Sequence, residues 1–205
     1  MKIQKDICDI VKSGLDQFLP FMNSEVRNGI SLIDMVRAMR RSEDKEIPLY
    51  AVPVKAALNE SLLLLREKIQ EKGICIDLDA VELSVLAERT ALINSVFNNI
   101  LTNAIKFSEP GSHISIKANA TEEMACVSFA DHGIGMSATT MENMFNMGIS
   151  QSRMGTAGEE GTGFGMPLMK RFVTKFGGRV EVSSRDIESN PNNHGTKFQI
   201  WLKRA

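Results

Sequence analysis

Residues 99–108 read Asn99-Ile100-Leu101-Thr102-Asn103-Ala104-Ile105-Lys106-Phe107-Ser108 and close a helical pattern that begins near residue 91. At 100° per residue, Asn99, Asn103 and Lys106 fall within an arc of roughly 60°, with Ile93, Phe97, Ile100 and Ala104 clustered beside it. Two amides and an ammonium therefore share one polar stripe next to an apolar one. Such a stripe can help hold a hydrated divalent cation through an amide oxygen and an anion through the lysine, because Mg2+ keeps several waters and is usually shared with substrate phosphates. A solvated helix face has the same pattern, so this stretch alone leaves both readings open.

The pattern around it decides the fold class. Ile74, Ile76 and Leu78 alternate with Cys75 and Asp77, and similar alternation at 113–118, 125–130, 179–184 and 196–202 marks half-buried strands. Helical spacing covers 54–71, through Val54, Leu58, Leu62, Leu65 and Ile69 up to Gly73, and again 165–176; a short extended stretch spans 47–52. Helices and strands mix without strict β-α-β-α order, which predicts an α+β fold, a two-layer sandwich with helices on one face of the sheet. Further upstream, Ile3, Ile7, Ile10, Leu15 and Phe18, then Val26, Ile30, Ile33, Val36 and Met39, predict two amphipathic helices. The short link 19–24 makes them an antiparallel hairpin. The charged run 40–46 sets a boundary, giving a hairpin over 1–46 and a second domain over 47–205. The hairpin is too small to bury its own stripe and is expected to pack on a second copy or on the following domain.

Composition excludes several classes. The 205 residues carry 24 Lys+Arg against 25 Asp+Glu, a net charge of −1, which gives no electrostatic reason to expect nucleic acid or an anionic membrane as partner. Cys8, Cys75 and Cys126 are scattered and odd in number, against a disulfide framework or zinc site. No apolar run approaches the roughly 20 residues of a membrane span. The chain is therefore expected to be cytoplasmic and to make no membrane contact itself, while an intact protein could be anchored through upstream segments.

Three further clusters carry chemistry. Asp131-His132-Gly133-Ile134-Gly135-Met136 follows the strand at 125–130; the glycines let backbone approach a flat ligand, and the carboxylate can accept from an exocyclic amine, although a tight turn has the same composition. Gly161-Thr162-Gly163-Phe164-Gly165-Met166-Pro167 opens a helix, where bared N–H groups suit an anion; it lacks the Walker spacing, and a simple helix entry has the same pattern. Between them, residues 148–160 are polar and glycine-punctuated, which suits a flexible cover over a phosphate site, with Arg153 as a phosphate contact, as well as an ordinary loop.

Taken in order, these clusters resemble a known family. Residues 99–108 are similar to the N box of sensor histidine kinases, Asp131-His132-Gly133-Ile134-Gly135 to their first glycine box, and Gly161-Thr162-Gly163-Phe164-Gly165 to the second. Phe145 stands where the F box phenylalanine would, and His194-Gly195-Thr196-Lys197-Phe198 resembles the closing strand. The wider superfamily groups gyrase-type, Hsp90-type, histidine-kinase and MutL-type ATP-binding domains, so the implied architecture is the Bergerat-type ATP-binding fold. The resemblance implies ATP and Mg2+. Asn103 would ligate the metal with Asn99 beside it, and Lys106 would contact phosphate; these three would form the catalytic set. Asp131 would take the adenine amine, helped through water by Thr196, with Gly133 and Gly135 shaping the pocket floor and Met136, Phe145 and Arg153 also among the cofactor-binding residues. Gly161, Thr162, Gly163, Phe164 and Gly165 would serve as hinge and phosphate cradle.

Asn99 separates branches of that superfamily. The hydrolysing members resembling gyrase and Hsp90 carry a glutamate there, and an amide cannot take up a proton from water at neutral pH. The resemblance therefore implies phosphoryl transfer to a protein histidine, relayed to the receiver domain of a response regulator. The chain's three histidines, His113, His132 and His194, all fall in or beside the nucleotide motifs, and none lies in the hairpin. The chain is accordingly expected to be a fragment whose acceptor histidine lies upstream, the alternative being a natural protein without one; in either case it would dimerise through the hairpin and be unable to phosphorylate itself there. Two other readings stay open: a serine kinase like the anti-sigma factors, and a dimeric scaffold with a vestigial nucleotide pocket.

Overall fold

Alternating buried and open positions along five strands build the main sheet of the protein. The computed structural model describes residues 47–146, 153–159, 161 and 163–205; the hairpin expected over 1–46 lies outside them. In chain order the elements are β1 (Tyr50–Pro53), α1 (Val54–Leu64), α2 (Arg66–Glu71), β2 (Cys75–Ala80), β3 (Ser84–Ala87) and α3 (Arg89–Ala91). A π-helical run (Leu92–Phe97) joins α3 to α4 (Asn98–Phe107), and there follow β4 (His113–Ala120), β5 (Met124–Asp131), α5 (Ala138–Asn143), α6 (Gly165–Lys175), β6 (Arg179–Arg185) and β7 (Gly195–Lys203).

The main sheet runs β2-β4-β5-β7-β6, with β2 parallel to β4 and every other neighbour antiparallel, while β1 and β3 form a separate antiparallel pair. Ile114, Ile116, Ala118, Ala125, Val127, Phe129, Phe198, Ile200 and Leu202 all point to one buried face. Helical residues Val96, Phe97, Ile100, Leu101, Met169 and Val173 cover it, and the Phe97 and Phe129 rings meet with centroids 5.7 Å apart. Each such side chain contributes about 1.5–3 kcal/mol by leaving water. The α+β sandwich read from the sequence is the observed one.

Three details differ. The single helix expected over 54–71 breaks at Leu65, whose φ of −100° and ψ of 6° leave the helix. Leu58 before the break and Leu65 at it are buried, and Ile69 beyond it is half-buried, so the apolar spacing continues across the break and hides it. Strand β3 has only four residues, and α5 has too few apolar positions to show a stripe; its mark is Ser137, whose Oγ accepts the Thr140 N–H at 3.2 Å. Among the described residues no helix is long and apolar enough to cross a membrane.

Candidate functional site

The polar stripe of α4 lies at the edge of this core. Ile100, Leu101, Ala104 and Ile105 are buried, and Asn99 and Asn103 are half-buried. Asn99 donates from Nδ2 to the Ser95 carbonyl at 2.8 Å, back in the π-helical run, which fixes its amide. The start of α6 sits against that amide: a Cβ built on Gly165 would stand 2.9 Å from Asn99 Oδ1. Glycine at 165 is therefore what lets the helix N-terminus reach the stripe. Lys106 is buried at 6% exposure; its ammonium lies 4.8 Å from the Phe107 ring centroid and donates to the Arg153 carbonyl.

Sheet register builds the opposite side. Asp131 ends β5 opposite Thr196 of β7, which in turn lies opposite Ser184 of β6. Asp131 Oδ1 accepts two backbone N–H groups, from Gly133 at 2.9 Å and Thr196 at 3.1 Å. Burial pushes its carboxyl up to about 6 from the ordinary 3.8, although both N–H groups and the neighbouring His132 and His194 pull it down. Ser184 Oγ donates to the Gly195 carbonyl and accepts the Met136 N–H, each at 2.9 Å, and lies 2.9 Å from Thr196 Oγ1. With its one proton so placed, Ser184 receives the Thr196 hydroxyl proton as well, and Thr196 keeps its lone pairs as acceptors.

The turn after Asp131 is wedged between two backbones. A Cβ on Gly133 would collide with the Phe107 carbonyl, and one on Gly135, at φ 67°, with the Arg185 carbonyl. Ile134 accordingly donates its N–H to the Phe107 carbonyl and accepts at its own carbonyl from Ile187, both at 3.0 Å. His194 Nδ1 lies 2.6 Å from the Gly133 carbonyl. The two glycines are thus required by close packing of the pocket floor on protein backbone.

Residues 153–159 strap these sides together. The Arg153 guanidinium donates to the Gly135 carbonyl at 3.2 Å and lies 5.8 Å from the Phe107 ring centroid. Thr156 donates its N–H to the Lys106 carbonyl at 3.0 Å and its hydroxyl to the Ser108 carbonyl at 2.5 Å. Beyond the strap, Phe145 stacks under the Lys170 ammonium of α6, 4.6 Å from its ring centroid. Gly163 has a φ of 73°, Phe164 caps α6, and Thr162 lies outside the described residues.

Residues 88–205 match the family described as histidine kinase-, DNA gyrase B-, and HSP90-like ATPase. The chain belongs to this family. It is 28% identical over 82% of its length to the sensor histidine kinase YcbM of Bacillus subtilis and spans 52% of that relative. Among solved structures, full-length ShkA in complex with AMPPNP aligns with a TM-score of 0.67 and 24% identity over 88% of this chain and 37% of that one. The histidine kinase ThkA in complex with the response regulator TrrA aligns with a TM-score of 0.66 and 18% identity over 88% of this chain and 49% of that one.

Within this ATPase-family fold, the structure brings Asn99, Lys106, Arg153 and Gly165 together on one side and Asp131, Gly133, Gly135, Met136 and Thr196 on the other. Sequence reasoning missed Ser184, Lys72, Thr156 and Glu159. Ser184 ends a strand read correctly, but its partner Thr196 depends on register. Lys72 carried no signal at all, since its partners lie 34 and 87 residues away.

Proposed function

We propose that the chain is the ATP-binding catalytic domain of a sensor histidine kinase, and that residues 47–205 make up that domain. It would pass the γ-phosphate of ATP to a histidine that none of its own three supplies, for relay to a response regulator. The observation that carries this reading is Asn99, an amide held against the start of α6 where a water-activating family member would need a carboxylate. Neither Asn99 nor Asn103 can accept a proton from water at neutral pH, so the site favours positioning over hydrolysis.

The donor set also fits Mg2+. Among the described residues no group of three or more His, Cys, Asp or Glu side chains could hold a metal, and what α4 offers is neutral amide oxygen. A hard cation that keeps its waters and binds phosphate oxygens suits such a site. Asn103 would hold it, with Asn99 alongside, and when bound it would neutralise charge on the phosphates. Asp131 keeps Oδ2 for the adenine amine, because Oδ1 is taken by backbone, and Thr196 accepts beside it. Lys106 supplies positive charge where the phosphates lie.

The region 1–46 would form the hairpin that pairs two copies, and the chain would work in the cytoplasm. Calorimetric titration with AMPPNP and Mg2+ tests the site: micromolar binding is expected, and it should be lost in Asp131→Asn. Incubating the chain with γ-labelled ATP and a separate acceptor-histidine domain tests the chemistry. Label on the added domain is expected, and label released only as free phosphate would overturn the reading.

A further inference from the structure

Lys72 lies far from every sequence motif of the cleft, yet its side chain is only 6% exposed. It caps the end of α2, where its own carbonyl accepts the Gly111 N–H at 3.0 Å, so its backbone is fixed. From there the ammonium donates to the Lys106 carbonyl at 2.8 Å and pairs with Glu159 Oε1 at 2.5 Å. Glu159 belongs to the strap. Its other carboxylate oxygen accepts the Ala157 N–H at 2.9 Å, and its carbonyl accepts the Gly155 N–H at 2.9 Å. Gly155 in turn lies so close to Lys106 that a Cβ there would stand 2.7 Å from Lys106 Cγ. One carboxylate thus folds the strap into a tight loop, and one buried ammonium ties that loop to the backbone of Lys106.

The strap's first carbonyl, that of Arg153, receives the Lys106 ammonium itself. Lys106 is therefore held twice, at its backbone by Lys72 and Thr156 and at its tip by the strap that Lys72 anchors. Burial makes the arrangement firm: in a site screened from water a charge-assisted hydrogen bond is stronger than on the surface, and an ammonium left without its carboxylate is costly. We infer that the Lys72–Glu159 pair is a latch that positions Lys106 for the phosphates of the nucleotide, making both residues positioning residues of this site. The inference rests on the ATP-binding function proposed above.

The latch acts at one end of the cleft, so it distinguishes ligands by their phosphates. Affinities of the wild-type chain, Lys72→Met, Glu159→Gln and the double variant are measured by calorimetry for AMPPNP with Mg2+ and for adenosine. Glu159, about a third exposed, can hydrate when Lys72 is replaced by an apolar side chain, and Glu159→Gln decides the matter should Lys72→Met not fold. Each single variant is expected to weaken AMPPNP about tenfold while adenosine stays within about twofold, and the double variant should bind no worse than the weaker single, as residues acting as one unit do. Unchanged AMPPNP affinity in the singles, equal losses for both ligands, or losses that multiply in the double variant would each overturn the latch. A wild-type chain that binds neither ligand refutes the nucleotide reading itself, a different result from any of these.

Discussion

The two sides of the candidate site are built by different means. At the sheet ends, Asp131, Thr196 and Ser184 are held by strand register and by main-chain contacts that tolerate no Cβ at Gly133 or Gly135. At the end of α4, position is set by long side chains, with Lys106, Lys72 and Glu159 reaching across tens of residues. Backbone packing gives a fixed shape, which suits recognition of a flat ring; charged side chains tied to one another give a field whose position depends on each of their partners. Under the proposed function, discrimination would fall to one side and charge handling to the other.

The comparison breaks first at the rigid side. Gly135→Ala places a Cβ on the Arg185 carbonyl from a backbone with φ 67° and is expected to destabilise the fold by about 3 kcal/mol or more, read as the midpoint of denaturant unfolding. A much smaller loss would mean that the turn is looser than its contacts imply. Asp131→Asn should separate stability from binding. With the amide oxygen kept by the two backbone N–H groups, the substitution puts an NH2 donor where Oδ2 would face the ring amine and is expected to lower nucleotide affinity on the order of a hundredfold. The same change relieves a buried charge, so at pH 7 the variant should unfold no more easily than wild type and gain up to about 3 kcal/mol.

The sign of that effect follows from the carboxyl sitting near 6 in the folded chain against 3.8 ordinarily. A raised value means that the folded state holds the proton more tightly. The associated stability is full below about pH 4 and is lost as pH rises through about 6. Binding runs the other way, since Oδ1 is held by two backbone N–H groups and protonation therefore falls on Oδ2, turning the strong charged acceptor offered to the amine into a hydroxyl. Nucleotide affinity should be flat above about pH 6 and fall toward tenfold per unit below it, a slope that Asp131→Asn abolishes. The smallest effect is expected from Ser184→Ala, which leaves the Met136 N–H without its acceptor and should cost about 1 kcal/mol of stability.

Sequence made the main elements legible because their signals are local. Period-2 alternation marked the five strands of the main sheet, and the arc of Asn99, Asn103 and Lys106 survives in α4. The acid after a strand and the glycines after it were also readable, but their partners were not. That Gly133 and Gly135 pack on Phe107 and Arg185 depends on how two distant segments close on the turn. Ser184 needed the β6–β7 register, and Lys72 meets Glu159 only once α2, α4 and the strap are assembled. Elements of four or six residues, such as β3 and α5, carry too few positions for any period to show.

Ile134 bonds on one side to the last turn of α4 and on the other to the chain leaving β6. The turn after Asp131 and the helix that carries Lys106 are in this way links of one short chain of hydrogen bonds. A displacement at the end of that helix would pull on this turn directly, through one peptide unit.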